Sequence, residues 1–216
     1  MLIDSVAWLG HASFRIAVRE ATIYIDPYRV SPRAPKADVI LVTHGHYDHF
    51  SPQDVELLSD DSTWLIAPAA VAERATGRVA SIAAGETIEL DHLHGIDVAA
   101  IAAYNTSKRD SDGNVFHPRA AGWVGFELNV RGQRLYHSGD TDVIPEMDAV
   151  AGVDVALLPV SGTYVMTAAE AAEAARRIQP GVAVPMSWGS HLGSRADAED
   201  FAARASVDVR ILDRAP

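Results

Sequence analysis

The sequence predicts an α/β protein of the α+β type, a four-layer αββα sandwich in which two mixed β-sheets pack face to face and helices cover the outside. Two observations carry this. Each half of the chain contains a meander of short apolar-alternating segments, residues 5–25 in the first half and 86–136 in the second. In each half, strands also alternate with helices that must cross over a sheet. At 216 residues the chain suits a single domain, 1–216, long enough to bury a substantial core.

The opening strands run from Ser5 to Leu9, Ala12 to Val18 and Ala21 to Ile25, with Gly10-His11 and Arg19-Glu20 as turns. Asp26-Pro27 ends the third strand, and Pro32 and Pro35 keep the next segment irregular. Val39 to Val42 is a bounded apolar run rich in β-branched residues, the pattern of a buried strand. Ser51 as N-cap, Pro52 at the first helical position and Asp54 in the first turn open a helix that reaches about Ser59. A strand from Thr63 to Ala67 and a short helix from Ala69 to Ala75 follow, ending at Gly77. Glu86 to Leu90 and Gly95 to Tyr104 read as paired strands joined through Asp91 to His94. The polar loop from Asn105 to Arg119 is longer than most connections, and long ordered loops often carry function.

Gly122 to Val130 and Gln133 to Tyr136 form a hairpin about Arg131-Gly132. The remainder reads as strand (Asp154 to Pro159), helix (Ala168 to Ile178), strand (Val182 to Met186), helix (Ala196 to Ala205) and strand (Val207 to Leu212). Thr167 and Glu170 make a capping box, and Glu173 with Arg177 predicts an i,i+4 ion pair. The alanine-rich face of that helix implies close approach to the sheet.

Composition narrows the chemistry. With no cysteine there is neither a disulfide framework nor a thiolate site, so any metal is held by nitrogen and oxygen. The hydrophobic fraction of 48% and charged fraction of 22% are those of an ordinary globular protein. A formal net charge of −11 argues against nucleic acid, whose phosphates need a basic surface. No apolar run approaches membrane-spanning length, and Met1-Leu2-Ile3-Asp4-Ser5 lacks a signal core, so a cytoplasmic protein without a membrane partner is expected. A homo-oligomer stays open.

Directly after the buried strand comes Thr43-His44-Gly45-His46-Tyr47-Asp48-His49. His44 and His46, two apart at the end of a rigid element, can converge on one ion, while Asp48 and His49 can turn toward a neighbouring one. Imidazole with carboxylate suits zinc, manganese or iron. A polar loop that merely happens to be histidine-rich is the bland alternative, and four metal-competent groups within six positions weigh against it.

The pattern His-x-His-x-Asp-His resembles the signature of the metallo-β-lactamase superfamily of hydrolases. The resemblance extends along the chain through Gly10-His11-Ala12-Ser13, Ile25-Asp26-Pro27, Ala103-Tyr104-Asn105, Phe116-His117-Pro118, Tyr136-His137-Ser138-Gly139-Asp140-Thr141 and Ala183-Val184-Pro185-Met186. Their order is similar to that in the ascorbate-phosphate lactonase-like branch. The resemblance implies the metallo-β-lactamase fold and a two-metal site, with His44 and His46 on the first ion, Asp48 and His49 on the second and Asp140 bridging. His117 is the best match for the third ligand of the first ion, although Asn105 lies where some relatives have that histidine. One or two divalent ions per chain are implied, zinc or manganese foremost, and a pair roughly 3.5–4 Å apart generates a nucleophile from water at neutral pH. Asp48 would orient or deprotonate it, a role assigned by family analogy.

The groups around the motif carry expectations of their own. His11 either lines the pocket as a proton donor or substrate contact, or is a structural turn residue. Asp26 ends a buried strand and should accept hydrogen bonds, foremost from a metal-bound histidine. Tyr104 and Asn105 offer donors to a substrate oxygen, and Trp123 and Trp188 are either pocket wall or core. His137 is expected to pack or support, Asp142 to serve its own loop, and His92 and His94 to be solvated.

One position departs from the family pattern. Where relatives continue Pro185-Met186 with histidine, this chain has Ser187-Trp188-Gly189-Ser190-His191. A hydroxyl is a poor ligand beside imidazole. The first expectation is a labile second ion; His191 as a replacement and an impaired protein are the alternatives. The functions implied are a metal-dependent hydrolase of a small ester, lactone or phosphoester, with a small-molecule substrate, or a metal-binding protein of the same fold with weak or no activity. An iron oxidoreductase is disfavoured because the diiron members carry glutamate where this chain has His46.

Overall fold

Val39 and Leu41 point into one apolar layer and Ile40 and Val42 into another, and this alternation along one short strand sets the architecture. The computed structural model describes residues 1–216 apart from Glu20, Asp91, His92, His94 and His191. The turn and solvation readings at Glu20, Asp91, His92 and His94, and His191 as a replacement ligand, lie outside the described residues.

The first sheet holds β1 (Val6–Gly10), β2 (Ser13–Ala17), β3 (Thr22–Ile25), β4 (Val39–Leu41), β5 (Trp64–Ala67) and β6 (Arg78–Ser81) in that spatial order. β1 to β3 pair antiparallel and β3 to β6 parallel. The second sheet holds β7 (Thr87–Glu89), β8 (Ile96–Ala102), β9 (Val124–Val130), β10 (Gln133–His137), β11 (Val155–Pro159) and β12 (Val182–Met186), ordered from β12 to β7. Here β7 to β10 are antiparallel and β10 to β12 parallel. Both sheets are mixed, as expected.

Phe14, Ile25 and Leu41 of the first sheet share one buried cluster with Val98, Phe126 and Leu128 of the second. Each such side chain contributes roughly 1.5–3 kcal/mol by leaving water. On the other face of the first sheet, Ile40 and Val42 meet Leu58 of α1 (Pro52–Leu58) and Val71 of α2 (Ala69–Ala72). Over the second sheet lie α3 (Ala168–Ile178) and α4 (Arg195–Arg204), whose Ala171, Ala174, Ala175 and Phe201 are fully buried. Among the described residues no helix is long and apolar enough to cross a membrane.

Strand direction decides where functional groups gather. β1 runs parallel to β3 because two antiparallel steps separate them, so the ends of β1, β3 and β4 lie on one side. By the same reasoning β8, β10, β11 and β12 all finish together. Those ends carry His11, Asp26, His44, the 105–119 loop, Asp140 and Ser187. The two sheets are joined there by the Val124 N–H donating to Thr43 O at 3.2 Å and the stacked Trp8 and Trp188 rings 4.5 Å apart.

Several sequence expectations are corrected. β6 is an additional strand that the residue pattern does not signal, since Arg78-Val79-Ala80-Ser81 is a short edge strand with no apolar run. The helix expected to reach Ala75 stops at Ala72. Val207 to Leu212 is not a strand: only Val209 bridges Ala183, through Ala183 N–H to Asp208 O (2.8 Å) and Arg210 N–H to Ala183 O (2.9 Å), while its apolar residues pack half-buried against the core. Arg177 pairs with Asp148 and Glu173 with Arg176, because the 3-10 turn at Pro145–Val150 brings a competing carboxylate against α3.

Candidate metal centre

Beyond β4, the His49 and Phe50 N–H groups both donate to His46 O, at 3.1 and 2.8 Å, and Ser51 then caps α1 by accepting from Asp54 N–H. This tight turn brings His44 and His46 against His117 of the long loop, with one ring nitrogen of each within 4.8 Å of the others. His44 Nε2 lies 2.9 Å from His46 Nδ1. A second group, His44, His49 and Asp140, meets the same distance limit, as does a third, His11, Asp48 and His49. His49 Nε2 and His117 Nε2 each stand 3.4 Å from Asp140 Oδ2.

The partners of each ring fix which nitrogen carries a lone pair. Asp26 is fully buried and accepts from Thr43 N–H at 2.7 Å, Thr43 Oγ1 at 2.6 Å and His49 Nδ1 at 2.7 Å. His49 therefore keeps a proton on Nδ1, and Nε2 is the nitrogen that offers a lone pair once the ring is neutral. Because the Thr43 hydroxyl proton goes to Asp26, Oγ1 accepts from His44 Nδ1 at 3.0 Å, which turns the His44 lone pair to Nε2. Asn105 behaves similarly: its Nδ2 faces only acceptors, Asp142 Oδ1 and Tyr164 O, both at 3.0 Å, so Oδ1 accepts from His117 N–H and His117 Nδ1. That leaves Nε2 of His117 as its acceptor.

Charge follows the same layout. Burial holds His44 well below its ordinary value, and burial with His117 nearby lowers His46, so both rings are neutral and able to ligate. Burial opposes a charge on His49, but Asp140 and Asp26 overcome it and raise its pKa well above 6.5. Burial alone would raise Asp140 and Asp48. His49 and His117 instead hold Asp140 far down, and His11 with His49 does the same for Asp48.

The remaining expected residues separate. Asn105 commits Oδ1 to His117 and Nδ2 to Asp142 and Tyr164, so its side chain positions the loop and the His117 ring. Tyr104 does not face the group, because its hydroxyl donates to Glu146 Oε2 at 3.0 Å and Arg119 covers its ring; this corrects the expectation of a substrate contact. His11 lies in the β1–β2 turn with Nε2 3.0 Å from Asp48 Oδ2. Ser187 directly follows β12, buried, with its N–H on His11 O. His11, Asp26 and Ser187 all have left-handed backbone, φ 52°, 47° and 58°, a strain that clusters at functional sites.

Sequence reasoning assigned no role to Thr43 and understated Asp142. Asp142 Oδ2 accepts from the Thr106 and Ser107 N–H groups, fixing the start of the loop that carries His117. Trp123 packs against the histidine group, its ring centroid 4.9 Å from those of both His44 and His46. A cavity of about 470 Å³ opens beside the group between Tyr47, Phe116, Tyr164 and Leu192.

His49 Nε2, His117 Nε2 and Asp140 Oδ1 are buried without a hydrogen-bond partner among the described residues. Such atoms are costly to leave unsatisfied, and two imidazole nitrogens on either side of one carboxylate fit cations held by nitrogen and oxygen.

Facing mixed sheets with this cluster at their shared rim define a class. The chain belongs to the β-lactamase superfamily: the model of the beta-lactamase superfamily domain matches residues 5–187. A UPF0173 metal-dependent hydrolase of Methanopyrus kandleri is 32% identical over 211 residues, covering 91% of this chain and 89% of the relative. Another, of Thermoplasma acidophilum, is 33% identical over 218 residues, covering 94% and 91%. A solved structure from Parabacteroides distasonis aligns with a TM-score of 0.83 at 30% identity, covering 96% of this chain and 93% of that one. Igni18, a metallo hydrolase from Ignicoccus hospitalis, shares the fold, with a TM-score of 0.78 at 21% identity over 98% and 95%. The expected metallo-β-lactamase fold is the one observed.

Proposed function

We propose that this chain, acting as one domain over residues 1–216, is a metal-dependent hydrolase of a small ester, lactone or phosphoester. The observation that carries the reading is the meeting of His44, His46, His49 and His117 around Asp140, with the rings of His44, His49 and His117 oriented by partners on their far sides. His44, His46 and His117 would hold one ion, Asp48 and His49 another, and Asp140 both. When bound, zinc or manganese supplies Lewis acidity and a water acidified to near neutrality.

The protein's own groups do the rest. Asp48, ionised beside His11, is placed to accept the proton of the attacking water. Asp26 and Asn105 keep the His49 and His117 rings from turning. Tyr47, Phe116, Tyr164 and Leu192 give the cavity apolar walls sized for a small molecule.

A panel of p-nitrophenyl esters, phosphoesters and lactones, assayed with manganese, zinc or no metal, tests the proposal. Metal-stimulated turnover that disappears in His46→Ala supports it. Ser187 favours one second reading, a metal-binding protein of this fold with weak or no activity. Full metal loading without turnover on any of these bonds would select that reading.

A further inference from the structure

Ser187 stands where a second imidazole belongs by family pattern, and its hydroxyl is buried with no hydrogen-bond partner among the described residues. The residue that its main chain touches carries an imidazole. The Ser187 N–H donates to His11 O at 3.0 Å, so the end of β12 rests on the β1–β2 turn. His11 O also accepts from Trp8 Nε1 at 2.8 Å, and the adjoining Ala12 O accepts from His137 Nε2 at 2.8 Å. Three donors from three elements thus fix this turn, and the His11 ring is 3% exposed.

The ring is aimed at the site. His11 Nε2 is 3.0 Å from Asp48 Oδ2, its centroid is 5.3 Å from that of His49 at 73°, and one ligand atom each of His11, Asp48 and His49 lies within 4.8 Å of the others. Such convergence of two imidazoles and a carboxylate is a competent donor set for zinc or manganese. Resting on the metal-centre reading above, we propose that His11 is the nitrogen ligand that takes the place of the histidine missing at position 187, so that the second ion is held by His11, Asp48, His49 and the shared Asp140. The second site is then complete rather than labile. The replacement comes from the opposite sheet, 176 positions away in the sequence.

Metal content by mass spectrometry after gel filtration, together with the absorption spectrum of cobalt-loaded protein, tests this. Unmodified protein is expected to retain two ions, and His11→Ala and His11→Gln one, with second-ion affinity lowered by about 100-fold or more. His11→Ala combined with Ser187→His should recover the second ion, which a merely misfolded variant would not do. Two ions retained by both His11 variants, or one ion in the unmodified protein, would overturn the ligand role. His46→Ala and His117→Ala provide the separate control: if neither lowers metal content, the metal-centre reading itself fails.

Discussion

Asp26 Oδ2 and His49 Nδ1 are 2.7 Å apart, both fully buried, and the carboxylate also takes both hydrogen bonds that Thr43 offers. One side chain at the end of β3 thus sets the ring of His49 and, through Thr43, the ring of His44. Asp26→Asn suits the same left-handed backbone, which asparagine tolerates, and removes only charge and one acceptor. It should weaken metal binding about 10–100-fold and lower stability by about 2–4 kcal/mol. Metal titration and denaturant unfolding measure the two effects separately.

Metal affinity should rise with pH. Asp140 and Asp26 raise the pKa of His49 despite burial, so an incoming cation must displace a proton. Proton uptake or release in weakly buffered solution, followed as zinc is added between pH 6 and 8, reports this; no pH dependence would contradict it. In metal-free protein the raised His49 pKa contributes stability that is full below 6.5 and fades as pH rises through the folded value. Asp140 acts oppositely: its contribution is present above 3.8 and is lost as pH falls through its lowered folded value.

Asp142→Ala removes the acceptor for the Thr106 and Ser107 N–H groups and for Asn105 Nδ2. The loss should cost about 3 kcal/mol and loosen the approach of His117, lowering the affinity for the first ion. Hydrogen exchange confined to residues 105–119 would localise the effect.

Gly139 has φ 62°, and a Cβ built there would come within 2.8 Å of Val124 O. Gly139→Ala should therefore destabilise by about 3 kcal/mol and shift Asp140, observable as reduced melting temperature and metal content. Tyr104→Phe, in contrast, loses only the bond to Glu146, about 1 kcal/mol, and should leave turnover unchanged.

The sequence exposed the architecture wherever a run of apolar residues had one clear period, as at Val39 to Leu41 and Val124 to Val130. It concealed Arg78–Ser81, whose strand character comes from pairing with β5 and not from its own residues. The histidine motif was readable because its members are adjacent in the chain. The direction of Tyr104 was not, since the carboxylate that claims its hydroxyl lies 42 residues on. The closeness of Ser187 to His11 was likewise illegible, because it follows from the two sheets meeting and from no local spacing.

His137 spans that meeting line with both ring nitrogens on main chain, Nε2 donating to Ala12 O and Nδ1 accepting from Gly139 N–H at 3.1 Å. Burial lowers its pKa, and a protonated ring would forfeit the Gly139 bond, so it stays an uncharged rivet between the halves. Neither sheet can slide past the other without breaking it. The donors on both sides are accordingly set in place by folding itself, and an arriving ion would meet a finished cradle instead of having to draw one together.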